Sequence, residues 1–179
     1  MEEFSRKTLK LAVFNKKTKS DVVHSFYYWM CIILILFWFI ILIIPVADFF
    51  IKNAVEKNLG ETTELSTILP FLKIVNVKNF GSAFGMFGRH PQFLLFFTFA
   101  VISGLLTMVF VKKIKDVKLL IAISFIIGGG IGNLVDRVLR GYVVDYLKVT
   151  FFPPVCNLSD YLICLGVGLL AIYIFRNQT

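Results

Sequence analysis

The chain has very few residues that commonly bind metals or form disulfides. It contains two histidines, His24 and His90, and three cysteines among 179 residues. The spacing of Cys31, Cys156 and Cys164 matches neither a zinc site nor a disulfide framework, and two of them fall within apolar runs. The topology derived below puts the histidines on opposite sides of a membrane. We therefore expect no metal and no cofactor, and interpret the cysteines as small apolar residues.

Charged residues are also scarce, at 17% of the chain, whereas hydrophobic residues make up 58% and the mean hydropathy is +0.81. This balance excludes an ordinary soluble domain. A bilayer core about 30 Å thick requires roughly 20 apolar residues of helix. Four runs fit this length: Tyr27 to Ala47, Phe93 to Val111, Leu119 to Leu134 and Leu158 to Phe175. The sequence predicts an all-α membrane protein with four transmembrane helices.

The net charge of +8 is distributed unevenly. Four spans place residues 1–26, the 112–118 loop and Arg176 on one side, with 11 basic and 4 acidic groups, a balance of +7. The other side has the remaining 8 basic and 7 acidic groups, a balance of +1. By the positive-inside rule both termini are cytoplasmic, so the basicity indicates topology, and we expect no nucleic-acid partner. The predicted domains are a cytoplasmic basic tail at 1–26, a four-span domain at 27–175 and a cytoplasmic C-terminus at 176–179.

The outward segment after the first span contains helix, strand and turn signals. Asp48, where that span is predicted to end, and Lys52 have the i, i+4 spacing of a helical ion pair. The stretch DFFIKNAVEKNLG that begins at Asp48 favours a short amphipathic helix that ends at Gly60. Residues 72–78, LKIVNVK, alternate as a strand does. The glycines of the following NFGSAFGMFG, which begins at Asn79, permit a tight re-entrant turn.

The third span contains a glycine cluster that is followed directly by polar residues. Four of the five residues from Gly128 to Gly132 are glycine, and each weakens helix propensity by roughly 1 kcal/mol relative to alanine. The spacing of Gly128 and Gly132 allows close approach of another helix. Packing alone explains the glycines about as well as function does. It does not explain Asn133, Asp136 and Arg137, which come immediately afterwards.

Two aspartates stand out because no basic residue adjoins them. Asp145 lies in the strand-like YVVDYL stretch and Asp160 lies at the start of the fourth span, whereas Asp136 is followed by Arg137. Both map to the outer interface of adjacent spans, so they can meet, and ionisable groups at membrane depth indicate function. A local alternative stays open for Asp160, because Asn157 and Asp160 have the spacing of a helix capping box.

Two carboxylates in one low-dielectric site share a proton, so one acts as a general base and the other donates a hydrogen bond. Such a pair can activate water for attack on a peptide carbonyl. The dipole of the fourth helix favours an ionised Asp160, which makes Asp145 the predicted proton holder. Serine catalysis is disfavoured because Ser82 and Ser159 have no histidine partner within sequence reach.

Two other function classes are weaker. A small transporter that uses the aspartates as proton carriers would need polar residues through the span midplanes, and the first two spans have almost none. A purely structural membrane protein would leave the polar residues between Asn133 and Asp160 unexplained.

These residues resemble the signal peptidase II family, the lipoprotein signal peptidases of the bacterial inner membrane. The similarity covers roughly residues 40–175 and rests on NFGSAF at 79–84, on GNLVDR at 132–137 with GYVVDY at 141–146, and on NLSD at 157–160. It implies a four-helix membrane bundle with a small extracytoplasmic β-cradle and a short amphipathic helix. Ser159, where the family usually has alanine, and Cys156, where an aromatic residue is common, depart from the pattern without removing a carboxylate.

The resemblance implies that Asp145 and Asp160 are the catalytic pair of an aspartic endopeptidase. The implied reaction removes the signal peptide from diacylglyceryl-modified prolipoproteins, on the amino side of the lipidated cysteine, at the outer face of the inner membrane. We expect a monomer whose partners are this substrate and membrane lipid. The residues implied to bind substrate or orient the pair are Asp48, Lys52, Asn79, Gly81, Asn133, Arg137 and Asn157. Those implied to be structural are Asp136, Gly132 and Gly141.

Overall fold

The computed structural model describes the backbone of residues 2–81 and 91–177 and the side chains of residues 24, 25, 28–81 and 92–177. In chain order the elements are α1 (Glu2–Asn58), β1 (Leu65–Ser66), β2 (Leu72–Asn79), α2 (Pro91–Val111), α3 (Val117–Arg140), β3 (Val143–Val149), β4 (Val155–Cys156) and α4 (Leu158–Asn177). The predicted re-entrant turn beyond Gly81, together with Ser82 and His90, lies outside the described residues.

The chain divides into two compact units, residues 1–36 and 37–179. The first unit is the N-terminal part of α1. The sequence predicts a basic tail at 1–26 that need not form a folded unit, but the backbone of residues 2–26 is helical. This segment contains no glycine or proline, so nothing in it interrupts a helix. The helix therefore runs through the predicted boundary between tail and span. The sheet and the functional site lie in the second unit.

Four helices of the described chain are long and apolar enough to cross a membrane: Tyr28–Asn58, Gln92–Val111, Val117–Arg140 and Leu158–Asn177. The four predicted spans are confirmed, but two helices are longer than expected. The amphipathic stretch after Asp48 is helical, yet it forms the last turns of α1 rather than a separate helix. α3 continues past Leu134 to Arg140, because its polar residues find buried partners, as shown below.

The four strands form one antiparallel sheet in the order β1, β2, β3, β4. The predicted strand at 72–78 is confirmed as β2, and the strand-like stretch around Asp145 forms β3. Val77 of β2 pairs with Asp145, and Asn79 pairs with Val143. A register shift lies between Ile74 and Val77. The sheet thus places Asn79 and Asp145 on adjacent strands, close enough for their side chains to meet.

α3 is more enclosed than its neighbours: 67% of its most apolar window is buried, compared with 17% for α2 and 11% for α4. Its glycines permit this. A Cβ added at Gly128 would lie 3.0 Å from a side chain of α1, and one at Gly130 would lie 3.2 Å from a side chain of α2. One added at Gly129 would lie 2.5 Å from the carbonyl oxygen of Ser159 in α4. The predicted close packing through glycine is confirmed, and it involves three different helices.

Candidate active site

Asp160 occupies the third position of α4 and caps the start of that helix. The backbone N–H of Asp160 donates to Asn157 Oδ1 at 2.9 Å, and the backbone N–H of Asn157 donates back to Asp160 Oδ2 at 3.3 Å. This reciprocal pair is the capping box that the sequence left open as an alternative. The other oxygen, Oδ1, accepts a hydrogen bond of 2.7 Å from Asn133 Nδ2 in α3. The capping role therefore leaves Asp160 free to face a second helix.

Asp145 lies on β3 and accepts hydrogen bonds from two side-chain amides. Asn157 Nδ2 donates to Asp145 Oδ1 at 2.7 Å, and Asn79 Nδ2 donates to Asp145 Oδ2 at 2.8 Å. Burial, followed by the nearby charge of Asp160, raises the pKa of Asp145 from 3.8 to about 7, although the two amides act in the opposite direction. Asp145 can therefore hold a proton close to neutral pH.

Asn157 connects the two aspartates. Its side-chain amide binds Asp145, and its backbone N–H and side-chain oxygen both bind Asp160. The side chain of Asn157 is fully buried, so these bonds form away from bulk water and are correspondingly strong. The structure thus brings together the two aspartates that the sequence singles out, and one residue sets their relative position.

A buried lysine lies behind Asp160. Lys52 is 0% exposed, and its Nζ lies 2.6 Å from Asp48 Oδ2 and 3.0 Å from Asp136 Oδ2. It also donates to Asn133 Oδ1 at 3.1 Å. Because the oxygen of the Asn133 amide faces the ammonium group, its nitrogen is directed at Asp160. Asp48 and Lys52 do form the predicted helical pair, and they also fix a residue that contacts the aspartate pair.

Asp136 has different partners from those expected. The sequence assigns Arg137 as its counter-charge, but Asp136 pairs with Lys52 and, through Oδ1, with Arg140 Nη1 at 2.6 Å. Its Oδ2 also accepts from the backbone N–H of Val144 at 3.1 Å. Adjacent helical residues point in different directions, so the side chain of Arg137 does not pair with that of Asp136. Asp136 instead connects α3 to α1 and to β3, and its structural role stays a prediction.

Arg137 points toward the aspartates. Its Nη1 donates to the backbone oxygen of Asn133 at 3.3 Å, and its side chain borders the same cavity as Asp145 and Asp160. Its guanidinium group carries five N–H donors in a planar arrangement. Arg137 is therefore placed to meet a polar group that enters the cavity.

Three glycines of the predicted site have different local roles. The N–H of Gly81 donates to Asn79 Oδ1 at 2.9 Å, which orients the Asn79 amide toward Asp145. Gly141 ends α3 with φ of 80°, a left-handed conformation that favours glycine. A Cβ at Gly132 would lie 2.2 Å from Ser159 Oγ. The backbone conformation thus explains glycine at Gly141 and the lack of space explains it at Gly132, whereas Gly81 contributes its backbone N–H.

Three residues that the sequence analysis did not place in the site belong to its buried network. Tyr146 donates to Asp48 Oδ1 at 3.1 Å and accepts from the backbone N–H of Leu158 at 3.2 Å. Ser159 donates to Asp48 Oδ2 at 2.6 Å. The i, i+4 spacing to Asp136 indicates Arg140, and Ser159 stands out in the sequence only as a departure from the family pattern. No local signal marks the contacts of Tyr146 and Ser159, because both are to Asp48, roughly a hundred residues away in sequence.

A cavity of about 450 Å³ is lined by both aspartates and by other residues of the sheet and of α4. Its polar lining comes from Asn79, Asn133, Arg137, Asp145 and Asp160. The remaining walls are mainly apolar and include Val143, Phe152, Pro154 and Ile163. Among the described residues no group of three His, Cys, Asp or Glu side chains could hold a metal ion. The arrangement suits paired carboxylates that act on a substrate with both polar and apolar parts.

The fold and the site define a four-span membrane protein with a pair of carboxylates, Asp145 buried and Asp160 partly buried, at one end of its helices. Residues 40–176 match the family described as signal peptidase (SPase) II. The chain belongs to the signal peptidase II family, and it is a peptidase of that family.

Curated relatives are similar over most of their length. The lipoprotein signal peptidase of Brevibacillus brevis is 32% identical over 142 residues, which cover 78% of this chain and 94% of that protein. The lipoprotein signal peptidase of Vibrio parahaemolyticus is 38% identical over 145 residues, with 76% and 86% covered.

Solved structures agree in fold. One, described as a bacterial membrane enzyme at 2.3 Å resolution, has a TM-score of 0.76 at 24% identity over 80% of this chain and 90% of that one. A second, described in the same way at 1.9 Å resolution, has a TM-score of 0.72 at 25% identity over 78% of this chain and 92% of that one. The four-span architecture with its small sheet is therefore shared.

Proposed function

We propose that this chain is an aspartic endopeptidase that removes the signal peptide from diacylglyceryl-modified prolipoproteins, on the amino side of the lipidated cysteine. The observation that carries the proposal is the pairing of Asp145 and Asp160. They line one cavity, Asn157 binds both, and the side-chain oxygens of both accept hydrogen bonds from N–H donors. Family membership and the relatives' names supply the substrate class.

The reaction needs one proton shared between the two carboxyl groups. We assign it to Asp145, whose pKa is raised to about 7. We assign the ionised form to Asp160 because it lies in the first turn of α4 and accepts hydrogen bonds from Asn133 and Asn157. Asp160 takes a proton from a water molecule, whose oxygen attacks the carbonyl carbon of the scissile peptide. Asp145 donates to the developing oxyanion. When the tetrahedral intermediate breaks down, the C–N bond cleaves and the proton held by Asp160 passes to the amine of the cysteine that leaves.

The surroundings of the aspartates suit a substrate that is anchored in lipid. Asp160 starts a membrane-spanning helix and Asp145 lies on the sheet beside it, so the pair is at the level where a span meets the interface. Acyl chains on the cysteine can stay in the bilayer while the peptide enters the cavity. Arg137 and Asn133 are placed to bind the peptide backbone. Binding energy from the lipid then helps to position the scissile bond.

The proposed orientation puts the aspartates at the outer face of the inner membrane and both termini in the cytoplasm. Lys118 at the start of α3 and Arg176 near the end of α4 line a second cavity together. Asn133 and Asp160 lie near the opposite ends of the same two helices. The basic end and the aspartate end are therefore on opposite sides, as the positive-inside rule requires. We further propose that the enzyme acts as a monomer.

The test uses Asp145→Asn and Asp160→Asn variants purified beside the unmodified protein. Each is given a synthetic diacylglyceryl-cysteine prolipoprotein peptide, and release of the signal fragment is followed. We expect the unmodified protein to cleave and both folded variants to lose at least about a thousandfold in kcat, as enzymes do when they lose an acid or base group. Full cleavage by either variant would remove that aspartate from the mechanism. A matched peptide with an unmodified cysteine tests the requirement for lipid.

A further inference from the structure

Ser159 and Asp160 are adjacent, and a chain of side-chain contacts leads from one back to the other. Ser159 Oγ donates to Asp48 Oδ2 at 2.6 Å, and the same oxygen lies 2.6 Å from Lys52 Nζ. Lys52 then binds Asn133, and Asn133 donates to Asp160 at 2.7 Å. The contacts therefore form a closed ring that begins and ends in the first turn of α4.

Every link of this ring away from Asp160 is shielded from solvent. Ser159, Asp48 and Lys52 are each 0% exposed, and Asn133 is 6% exposed. A hydroxyl that donates to a buried carboxylate makes a charge-assisted bond that water cannot replace. Removing the hydroxyl leaves Asp48 with Lys52 and Tyr146 as its side-chain partners. The carboxylate then has one constraint fewer on the oxygen that also binds the lysine.

We propose that Ser159 is a positioning residue for the reaction, acting on Asp160 through Asp48, Lys52 and Asn133. Its hydroxyl fixes one oxygen of Asp48, which fixes the ammonium group of Lys52. The lysine in turn holds the Asn133 amide with its nitrogen toward Asp160. Ser159 touches neither substrate nor the reacting atoms, so its effect is on the geometry of the general base. This inference rests on the proposed function, since it presumes that Asp160 is that base.

The packing around the hydroxyl supports a specific rather than a space-filling role. A Cβ at Gly132 would lie 2.2 Å from Ser159 Oγ but 3.4 Å from Ser159 Cβ. The hydroxyl therefore occupies the space that the glycine leaves open, and this position faces Asp48. A side chain at 159 without a hydroxyl would still fit there, so the contribution of the hydrogen bond can be measured without disturbing the helix contact.

The test compares Ser159→Ala with Ser124→Ala in the cleavage assay on the full-length protein. Ser124 is also 0% exposed, but its hydroxyl binds only the backbone oxygen of Ile121 in its own helix, at 2.8 Å, among the described contacts. We expect Ser159→Ala to lower kcat roughly tenfold with little change in KM, because the base is misaligned while substrate binding is kept. Ser124→Ala is expected to keep both constants.

A second measurement separates positioning from simple stability. Thermal unfolding in detergent is recorded for Ser159→Ala, Asn133→Ala and the double variant. The two residues belong to one ring, so the sum of the shifts in unfolding temperature of the two single variants should exceed the shift of the double variant. Unchanged kcat in Ser159→Ala, or strictly additive shifts, would overturn the positioning role. Failure of the unmodified protein to cleave would instead refute the proposed function, while the unfolding data would still decide whether the ring is coupled.

Discussion

The amide of Asn133 lies between a buried cation and the proposed general base: its oxygen accepts from Lys52 at 3.1 Å and its nitrogen donates to Asp160 at 2.7 Å. An amide cannot rotate without losing both bonds. The orientation of the Asp160 carboxylate is thus determined partly by a lysine that it does not touch. Through Lys52, α1 therefore contributes to a site that is otherwise built from α3, α4 and the sheet.

Replacement of Lys52 by methionine should destabilise the protein strongly. Lys52 neutralises Asp48 and Asp136, both almost completely buried, and breaking a buried pair by removing one partner costs about 3–5 kcal/mol. The free energy of unfolding in detergent micelles is the measurement. Lys57→Met, at an exposed position near the end of the same helix, is the control and should change it by less than about 0.5 kcal/mol. Equal stability of the two variants would contradict the buried charge network.

Asn79→Ala should move the pH dependence of cleavage. The Asn79 amide donates to Asp145 and lowers its pKa, while burial raises it to about 7. Without the amide the pKa of Asp145 rises further, so the proton is kept to higher pH. In a profile of kcat/KM against pH, the alkaline limb should move upward from about 7. The control is Asn58→Ala, which removes an amide that binds its own helix among the described contacts and should leave the alkaline limb in place. A downward move of the alkaline limb in Asn79→Ala would disprove the assignment.

Stability should depend on pH through Asp145. Its pKa is about 7 in the folded protein and 3.8 ordinarily, so the folded state binds the proton more tightly than the unfolded state does. The resulting stabilisation is complete below about pH 4 and is lost as pH rises through 7. Asparagine at this position cannot titrate. The unfolding temperature of Asp145→Asn should therefore rise relative to that of the unmodified protein as the pH increases from about 4 to about 7. No pH-dependent difference between the two proteins would show that the aspartate is not perturbed.

Glu64 provides a control with the opposite sign. Hydrogen bonds from Lys148 and Lys73 lower its pKa to about 2 from 4.5. Its contribution is therefore present above about pH 4.5 and lost as pH falls toward 2. Glu64→Gln should leave the pH dependence of stability between 5 and 7 unchanged, the range in which Asp145→Asn alters it.

Alanine variants of two α3 glycines, Gly132 and Gly129, should differ in whether Ser159→Ala restores their stability. Gly132→Ala brings a methyl group to 2.2 Å from the Ser159 hydroxyl, whereas Gly129→Ala brings one to 2.5 Å from a backbone oxygen. Each should cost about 1–3 kcal/mol, as overpacking does. Ser159→Ala should largely remove the cost at Gly132 and leave that at Gly129.

Unfolding temperatures of the single and double variants provide the measurement. Gly104→Ala, where a Cβ would meet nothing within 4 Å, serves as control and should be neutral or stabilising by up to about 1 kcal/mol. If Ser159→Ala rescued both glycine variants equally, the two proposed clashes would not be the cause.

The sequence was sufficient for the spans, for β2 and for the placement of Asp145 and Asp160 at one cavity. Long apolar runs and alternation depend on local composition, so they are visible without coordinates. Asp160 shows the limit of local reasoning. Its spacing from Asn157 correctly indicates a helix cap. The cap does not prevent a contact with Asn133, because one carboxylate oxygen accepts from the Asn157 N–H and the other accepts from the Asn133 amide.

The partners of Asp136 could not be predicted from its neighbours. Arg137 is adjacent in sequence, yet Lys52 lies closer in space because α1 continues past Asp48 and packs beside α3. The end of α1 was misjudged since a polar residue at a span end usually marks the interface. Here Asp48 is buried by Lys52, Tyr146 and Ser159 instead. Contacts between distant segments decide such cases, and no local pattern encodes them.

The capping box of α4 restricts which inactive forms of this protein can be used to capture a bound substrate. The side chain of Asp160 that is proposed to take a proton from water also accepts a hydrogen bond from the Asn157 N–H at the first turn of the helix. Alanine at this position would remove the acceptor for the Asn157 N–H and fray the helix end that shapes the cavity. Asparagine keeps a side-chain oxygen that can accept from the Asn157 N–H. A catalytically silent protein with an intact binding cleft is therefore better made with asparagine than with alanine.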